Sequence, residues 1–288
     1  MQDETEAPLA ATIVIATFNR VTHLEACLES LPWEALDRHR TEVVVVDDGS
    51  TDGAKERVQS RFPRAKLVDY GENRGLAHAR NAGARAARGR MLLYLDDDAV
   101  VQPGWLEAML AADDGETLLG GRILDFVGDR EQGGPAYSTF LGKRLPCKPE
   151  QATVGTGCNL GVPRRCLEVL GGFDEDLPYY FEDSDICIRA RKAGFRFKYV
   201  ADGAVRHKGS EIKRGNAIRM QEHNSSFAML KQYARSPLRL AAFFAGNTAW
   251  LLIRVALWLA KGRTADVALL LRGWASAHAR FLKRALQR

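Results

Sequence analysis

The sequence predicts an α/β fold: a mostly parallel, twisted sheet flanked by helices and followed by an α-helical C-terminal extension. Three features predict it, namely short β-branched apolar runs, helical periodicities between them, and a tail from about residue 216 without strand signals. "ATIVIATF" (11–18) and "EVVVVDD" (42–48) are almost continuously apolar, as strands covered on both faces are. Between them, Leu24, Cys27, Leu28 and Leu31 recur at i, i+3, i+4, i+7 and make one helical face. A capped helix follows "DDGSTDG". Next come a strand in "AKLVDY" (65–70), an Ala-rich helix from about Gly75 to Arg88 closed by Gly89, and a fourth strand, "MLLYLDD". This succession of βα units predicts an open, doubly wound sheet whose ligands gather at the carboxyl ends of its strands.

Those four strand ends carry "TFNR", "DDGSTD", "GENRG" and "DDDAVV". Each alone is an ordinary polar turn; four on one sheet edge predict a binding site. The run Asp96, Asp97, Asp98 is the most demanding of them. Adjacent carboxylates repel, and holding three at the end of a buried strand is unfavourable unless a cation or donor groups compensate. A divalent cation with oxygen ligands does so directly.

Composition narrows the function classes. Of 288 residues, 46% are hydrophobic and 27% charged, an ordinary globular balance that excludes disorder beyond the first few residues. The five cysteines (Cys27, Cys147, Cys158, Cys166, Cys187) have no paired or metal-ligand spacing, which fits a reducing compartment. The opening "MQDETEAPLA" is acidic and lacks the apolar core of a signal peptide, so the expected location is cytoplasmic, at the cytoplasmic face of the membrane. The net charge of +5 hides a division. Residues 206–288 hold sixteen Lys/Arg against three Asp/Glu, whereas residues 1–205 are net acidic.

"VIATFNR", "VVVVDDGSTDGA", "NRGLAHARNAG" and "LLYLDDDAVV" resemble, in order and approximate spacing, the motifs of the inverting family 2 glycosyltransferases with the Rossmann-like GT-A fold; Asp96-Asp97-Asp98 resembles their DxD motif. The resemblance implies that Thr17 and Asn19 edge a nucleotide pocket and that Asp48 accepts a hydrogen bond from base or ribose. Asp96 or Asp97 would meet the ribose, and Asp98 would bind a divalent metal, Mn2+ or Mg2+. Arg80 would hold the pocket or the phosphates, the alternative being an ordinary helix-surface arginine.

Further along, "FEDSD" (181–185) opens an amphipathic helix that ends near Gly194. Read structurally, Glu182, Asp183 and Asp185 are first-turn acids opposing the helix dipole. The aromatic setting "YYFED" suggests more, because Tyr179, Tyr180 and Phe181 would desolvate a carboxylate and raise its pKa toward that of a useful base. The family's ED-type motif implies Asp183 as the base, with Glu182 and Asp185 in support. His207, after a strand expected over 195–200, matches a histidine that completes the metal site in several members, although a lone histidine is often structural. Gly155, Gly157 and Asn159, in "GTGCNLGVPRRCLEVLGGFDE", resemble the segment that crosses the donor and acceptor site; turn-making is the equal alternative. The resemblance covers roughly residues 10–210.

These readings divide the chain into a flexible N-terminus (1–10), a catalytic domain (11–215, its nucleotide-binding half about 11–100 and its acceptor half about 101–215) and a basic helical tail (216–288). The expected function is inverting, metal-dependent transfer of a sugar from a nucleotide diphosphate sugar, UDP or dTDP first, to a hydroxyl of a saccharide or lipid-linked acceptor, as in polysaccharide biosynthesis. A sugar-phosphate nucleotidyltransferase would need a glycine-rich basic loop where "TFNR" stands, and a noncatalytic nucleotide-sugar binding protein should have lost the acids of "FEDSD". The tail lacks a nucleic-acid recognition fold, which excludes that partner. Its longest uncharged stretch, 240–253, is short for a span of about 20 residues. Contact with an anionic membrane surface is therefore expected, a soluble helical cap and a true span being the alternatives.

Overall fold

The computed structural model describes residues 9–209 and 214–287; most of the expected flexible N-terminus lies outside them. The first part of the chain runs β1 (Ala11–Thr17), α1 (Val21–Ser30), α2 (Trp33–Arg38), β2 (Thr41–Asp47), α3 (Ala54–Arg61), β3 (Lys66–Asp69), α4 (Leu76–Ala86), β4 (Met91–Asp96), β5 (Ala99–Val101) and α5 (Trp105–Ala112). It continues through β6 (Thr117–Asp125), β7 (Glu131–Gly133), β8 (Ala136–Ser138), β9 (Arg144–Pro146), β10 (Asn159–Pro163), α6 (Arg164–Leu170), α7 (Glu182–Lys192) and β11 (Arg196–His207). Three long helices follow: α8 (Arg214–Tyr233), α9 (Pro237–Ala260) and α10 (Thr264–Leu286). The described residues fall into two compact units. One comprises the chain up to Tyr137, Pro146–Pro178 and Glu182–Gly209; the other comprises Ser138–Leu145, Tyr179–Phe181 and the helices α8 to α10.

The first unit is built on a sheet of order β3-β2-β1-β4-β10-β6-β11-β5, with β7 beside β6. Its first four strands are parallel, as their apolar runs predict, and their ends are level: Thr17 lies opposite Asp47, Asp47 opposite Asp69, and Ala16 opposite Asp96. Ile13, Ile15, Val43, Val45, Leu93 and Leu95 pack into one core with Leu24, Cys27 and Leu28 of α1. Close packing needs a glycine on α4, where a Cβ at Gly83 would meet Val14 Cγ1 at 2.3 Å.

Two features depart from the strand reading. β10 enters antiparallel between β4 and β6, where the glycines of 155–161 suggest only a loop. The last strand does not stop at Val200: after a bulge at 201–203 its pairing with β6 resumes at Ala204↔Arg122 and runs to His207↔Asp125. The bulge at "ADG" lets the strand carry on to His207.

Asn159 is corrected by this topology. It is 0% exposed, and its side chain accepts from Trp105 Nε1 (2.9 Å) and donates to the carbonyls of Arg122 (3.0 Å) and Gly203 (2.8 Å). It fastens α5, β6 and the β11 bulge and does not line an open surface.

In the second unit, Phe140 stacks on Tyr233 at 4.6 Å and its carbonyl accepts from Tyr233 Oη at 3.0 Å. Asn224 of α8 donates to the carbonyls of Tyr179 and Tyr180. Tyr180 and Phe181 both take left-handed φ angles, 61° and 76°, a conformation held against steric preference by such contacts.

Replacing Asn159 with Ala strands three buried hydrogen-bonding groups and should lower the unfolding free energy by about 2–4 kcal/mol. Urea denaturation of Asn159→Ala measures this, and a loss below about 1 kcal/mol would contradict the role given to it.

Candidate active site

The polar residues of the level strand ends lock together. Asn19, at φ 53°, receives Thr51 N on its side-chain oxygen (2.8 Å) and donates its own amide to Ser50 Oγ (2.9 Å), tying the β1 end to the β2 end. Asp48 accepts from the amides of Arg74 and Gly75, both at 2.9 Å, and from the Tyr70 hydroxyl at 2.5 Å. It thereby anchors the segment after β3, and burial together with this carboxylate pushes the Tyr70 phenol well above its usual range. Asn19 and Asp48 are thus engaged by the chain's own loops.

The three carboxylates at the end of β4 point three ways. Asp97 turns inward, accepting from Thr17 Oγ1 (2.8 Å) and pairing with Arg20 (2.9 Å); burial still pushes its carboxyl up to about 7, against the pull of Arg20 and Thr17. Asp98 faces Arg20 with Oδ2 (2.8 Å) and His207 Nε2 with Oδ1 (3.1 Å). Burial opposes its ionisation, but His207 and Arg20 outweigh that and hold it below the usual carboxylate range. Asp96, the most exposed of the three, pairs with Arg80 (2.9 Å), and its other oxygen lies 3.7 Å from His207 Nε2.

His207 reaches this place because β11 pairs with β5, which sets it opposite Ala99, the residue after the acidic run. Gln132 of β7 fixes the ring: its Oε1 is 3.1 Å from His207 Nδ1 and its Nε2 donates to the His207 carbonyl at 2.8 Å. A proton on Nδ1 then leaves Nε2 turned to the carboxylates. Burial lowers the imidazole pKa, but Asp98 and Asp96 raise it more, so the net direction is upward.

Arg80 joins the two acidic motifs. Only 2% exposed, it is no helix-surface arginine. It donates to Glu182 Oε1 (2.6 Å) and Asp96 Oδ1 (2.9 Å), with its guanidinium 5.6 Å from the Phe173 ring centre. Burial disfavours its charge, yet Glu182, Asp96 and Asp183 hold it firmly protonated. Glycine is required at 157, because a Cβ there would meet Arg80 Nη2 at 2.1 Å. Gly155 is a packing glycine against Leu160 and Phe197.

Among the acids at the start of α7, Glu182 and Asp185 are buried, and Asp185 is tied to Arg189 (2.6 Å). Burial pushes Glu182 up to about 7 despite Arg80. Asp183 is the one with partial exposure; it accepts from Gly157 N (3.0 Å) and Ser184 N (2.6 Å).

Arg20 and Gln132 have no place in the sequence reading. Arg20 ends the quoted "TFNR" and was within reach of it, since three carboxylates demand cations; nothing marks Gln132, an exposed glutamine on a three-residue strand.

The family profile of glycosyl transferase family 2 matches residues 12–171, and the chain belongs to that family of enzymes, with the GT-A fold. It is 29% identical over 144 residues to the putative glycosyltransferase EpsH of Bacillus subtilis, covering 49% of this chain and 41% of that one. It is 28% identical over 254 residues to the N-acetylglucosaminyl-diphospho-decaprenol L-rhamnosyltransferase of Mycobacterium tuberculosis, covering 74% and 81%. The chain thus spans less than half of EpsH and most of the rhamnosyltransferase. Its fold is similar to that of the mannosyltransferase PcManGT from Pyrobaculum calidifontis, solved with GDP-Man and Mn2+: TM-score 0.61, 21% identity, 95% of this chain and 88% of that one.

Removing the Arg80 charge leaves Glu182 and Asp96 facing each other without compensation. Arg80→Met should cost about 3–5 kcal/mol in urea denaturation, and Glu182→Gln in the same chain should restore part of it. Equal stability of Arg80→Met and the parent would refute the bridging role.

Proposed function

We propose that the chain transfers a sugar from a nucleoside diphosphate sugar to an acceptor hydroxyl with inversion, Asp183 serving as the base. The observation that carries this is the joining of the "DDD" and "FED" motifs through Arg80, beside Asp183, the partly exposed acid of the second motif, at the glycine-rich crossing.

A divalent cation fits the donor set. Ligand atoms of Asp96, Cys158 and His207 lie within 4.8 Å of one another, and Asp98 Oδ1 is 3.1 Å from His207 Nε2. Bonds of about 2.1 Å place adjacent ligands of an octahedral ion about 3 Å apart. Burial, with the neighbouring aspartates, pushes the Cys158 thiol well above its usual range and keeps it neutral, so Asp98, His207 and Asp96 are the proposed holders. Two carboxylates and an imidazole suit Mn2+, or Mg2+ with its waters. Bound there, the ion supplies positive charge to the departing diphosphate.

The chain's own part is orientation and proton transfer. Thr17, Asn19 and Asp48 shape the nucleotide pocket by holding its loops. The amides of Gly157 and Ser184 aim the Asp183 carboxylate. As the acceptor oxygen bonds to the anomeric carbon, Asp183 takes its proton, and the bond from that carbon to the diphosphate oxygen breaks on the opposite face. Glu182 and Asp185 hold Arg80 and Arg189 around this group. UDP and dTDP sugars remain the expected donors, with GDP sugars as the alternative that PcManGT's ligand brings in. A lipid-linked saccharide is the proposed acceptor class, supported by the name of the mycobacterial relative.

Calorimetry with UDP, dTDP and GDP, each with and without Mn2+, tests the donor. Metal-dependent binding of one diphosphate is expected, and binding of none of them would end the proposal. Asp183→Asn should abolish transfer, by about 1,000-fold or more, and leave diphosphate binding within a few-fold. Near-normal turnover would reassign the base. Gln132→Ala should weaken Mn2+ binding by about 10- to 100-fold with little change in thermal stability, because it frees the ring that presents Nε2. Unchanged Mn2+ affinity would remove the orienting role given to Gln132.

A further inference from the structure

Helix α9 is turned inside out relative to a helix of a water-soluble surface. From Ala241 to Ala260 every exposed residue is apolar, with Leu252, Ile253 and Leu257 at 63, 53 and 54% exposure. Its polar residues face the protein instead. Asn247 donates to Ser226 Oγ of α8 at 3.1 Å, and Arg254 pairs with the buried Glu222 of α8 at 2.7 Å while lying 4.7 Å from the Trp258 ring centre. An amphipathic surface helix has the reverse arrangement, and an apolar face this continuous marks an interaction surface.

Two observations identify the occupant. By length and composition α9 could cross a membrane, yet it is fastened to α8 at both Asn247 and Arg254, and Lys143 closes on the same Glu222 at 3.3 Å. Crossing would bring this three-charge cluster to the depth of the hydrocarbon. Lying flat leaves the cluster in the protein and only the apolar face in lipid.

The exposed charge of α8, α9, α10 and the turns between them is of one sign. Arg239 and Lys261 flank it, Arg272, Arg280 and Lys283 are exposed on α10, and the two acids of α8 to α10 are both internally paired, Glu222 with Arg254 and Asp266 with Arg263. A second copy docked through the same helices would bring like charge to like, whereas anionic phospholipid brings its complement.

We infer that α9 docks this protein in the plane of an anionic bilayer, its Leu252–Leu257 face within the headgroup and upper acyl region and its Asn247–Arg254 face on α8. The inference stands apart from the transferase reading and is read without any sugar donor, so either can fail alone.

The test is co-sedimentation of the full chain with mixed phosphatidylglycerol–phosphatidylcholine vesicles and with pure phosphatidylcholine. Partitioning about 10-fold or more stronger on the anionic vesicles is expected. Leu252→Glu with Leu257→Glu, both at exposed positions, should reduce it by about 10-fold or more with unchanged circular dichroism and melting temperature. Brominated lipids should quench Trp250 best with bromine near the headgroups. No vesicle binding, binding indifferent to the double substitution, strongest quenching from the bilayer centre, or a dimer that the same substitution splits would each overturn the inference.

Discussion

The structure depends on the compensation of three adjacent carboxylates at the end of a buried strand. Asp96, Asp97 and Asp98 cannot share that place as bare anions, since their mutual repulsion adds to the desolvation of at least two of them. Arg20 answers two of the charges, with one nitrogen on Asp97 and another on Asp98, and Arg80 answers the third. His207 stands between the two outer carboxylates. The upward push on Asp97 and the downward pull on Asp98 make the settlement unequal: the residue turned inward is disfavoured as an anion, and the one between Arg20 and His207 is favoured.

This compensation organises elements far apart in the chain. Arg20 caps the start of α1, Arg80 sits in α4, and His207 ends β11, so the acidic run orders its surroundings only after the sheet is assembled. Arg80 carries the constraint furthest, because its second carboxylate, Glu182, is the neighbour of Asp183. A residue that first holds the fold together thereby sets the distance between the "DDD" and "FED" motifs. Gly157 belongs to the same constraint: its missing side chain makes room for Arg80, and its amide reaches Asp183.

What the sequence discloses follows from the range of the interactions. The four parallel strands and their helices are legible because each is a local pattern of a few residues, and their polar ends follow by counting to the end of each apolar run. β10 is not legible: Asn159–Pro163 is short, glycine-bearing and antiparallel, and its pairing is decided by β4 and β6. Asn159 resembles a loop residue beside a ligand, yet its three partners come from α5, β6 and the β11 bulge, none near in sequence. Arg80 shows the same limit, since an arginine on an Ala-rich helix has no sequence mark of burial. The acids of "FEDSD" are visible as a cluster, but only the pairing of Glu182 with Arg80 and Asp185 with Arg189 singles out Asp183 as partly exposed.

The helical tail follows the same rule of charge compensation. Arg254 interrupts an apolar stretch and, read alone, argues against a lipid environment for α9. Paired with Glu222, which also receives Lys143, it becomes part of an internal polar cluster and leaves the outer face of the helix free of charge. Removing Arg254 from the surface is what makes that face continuous. In both units, then, acids are placed so that basic side chains turn inward: at the strand ends this lets three adjacent carboxylates stand together, and on α9 it leaves the exposed face apolar and free of charge.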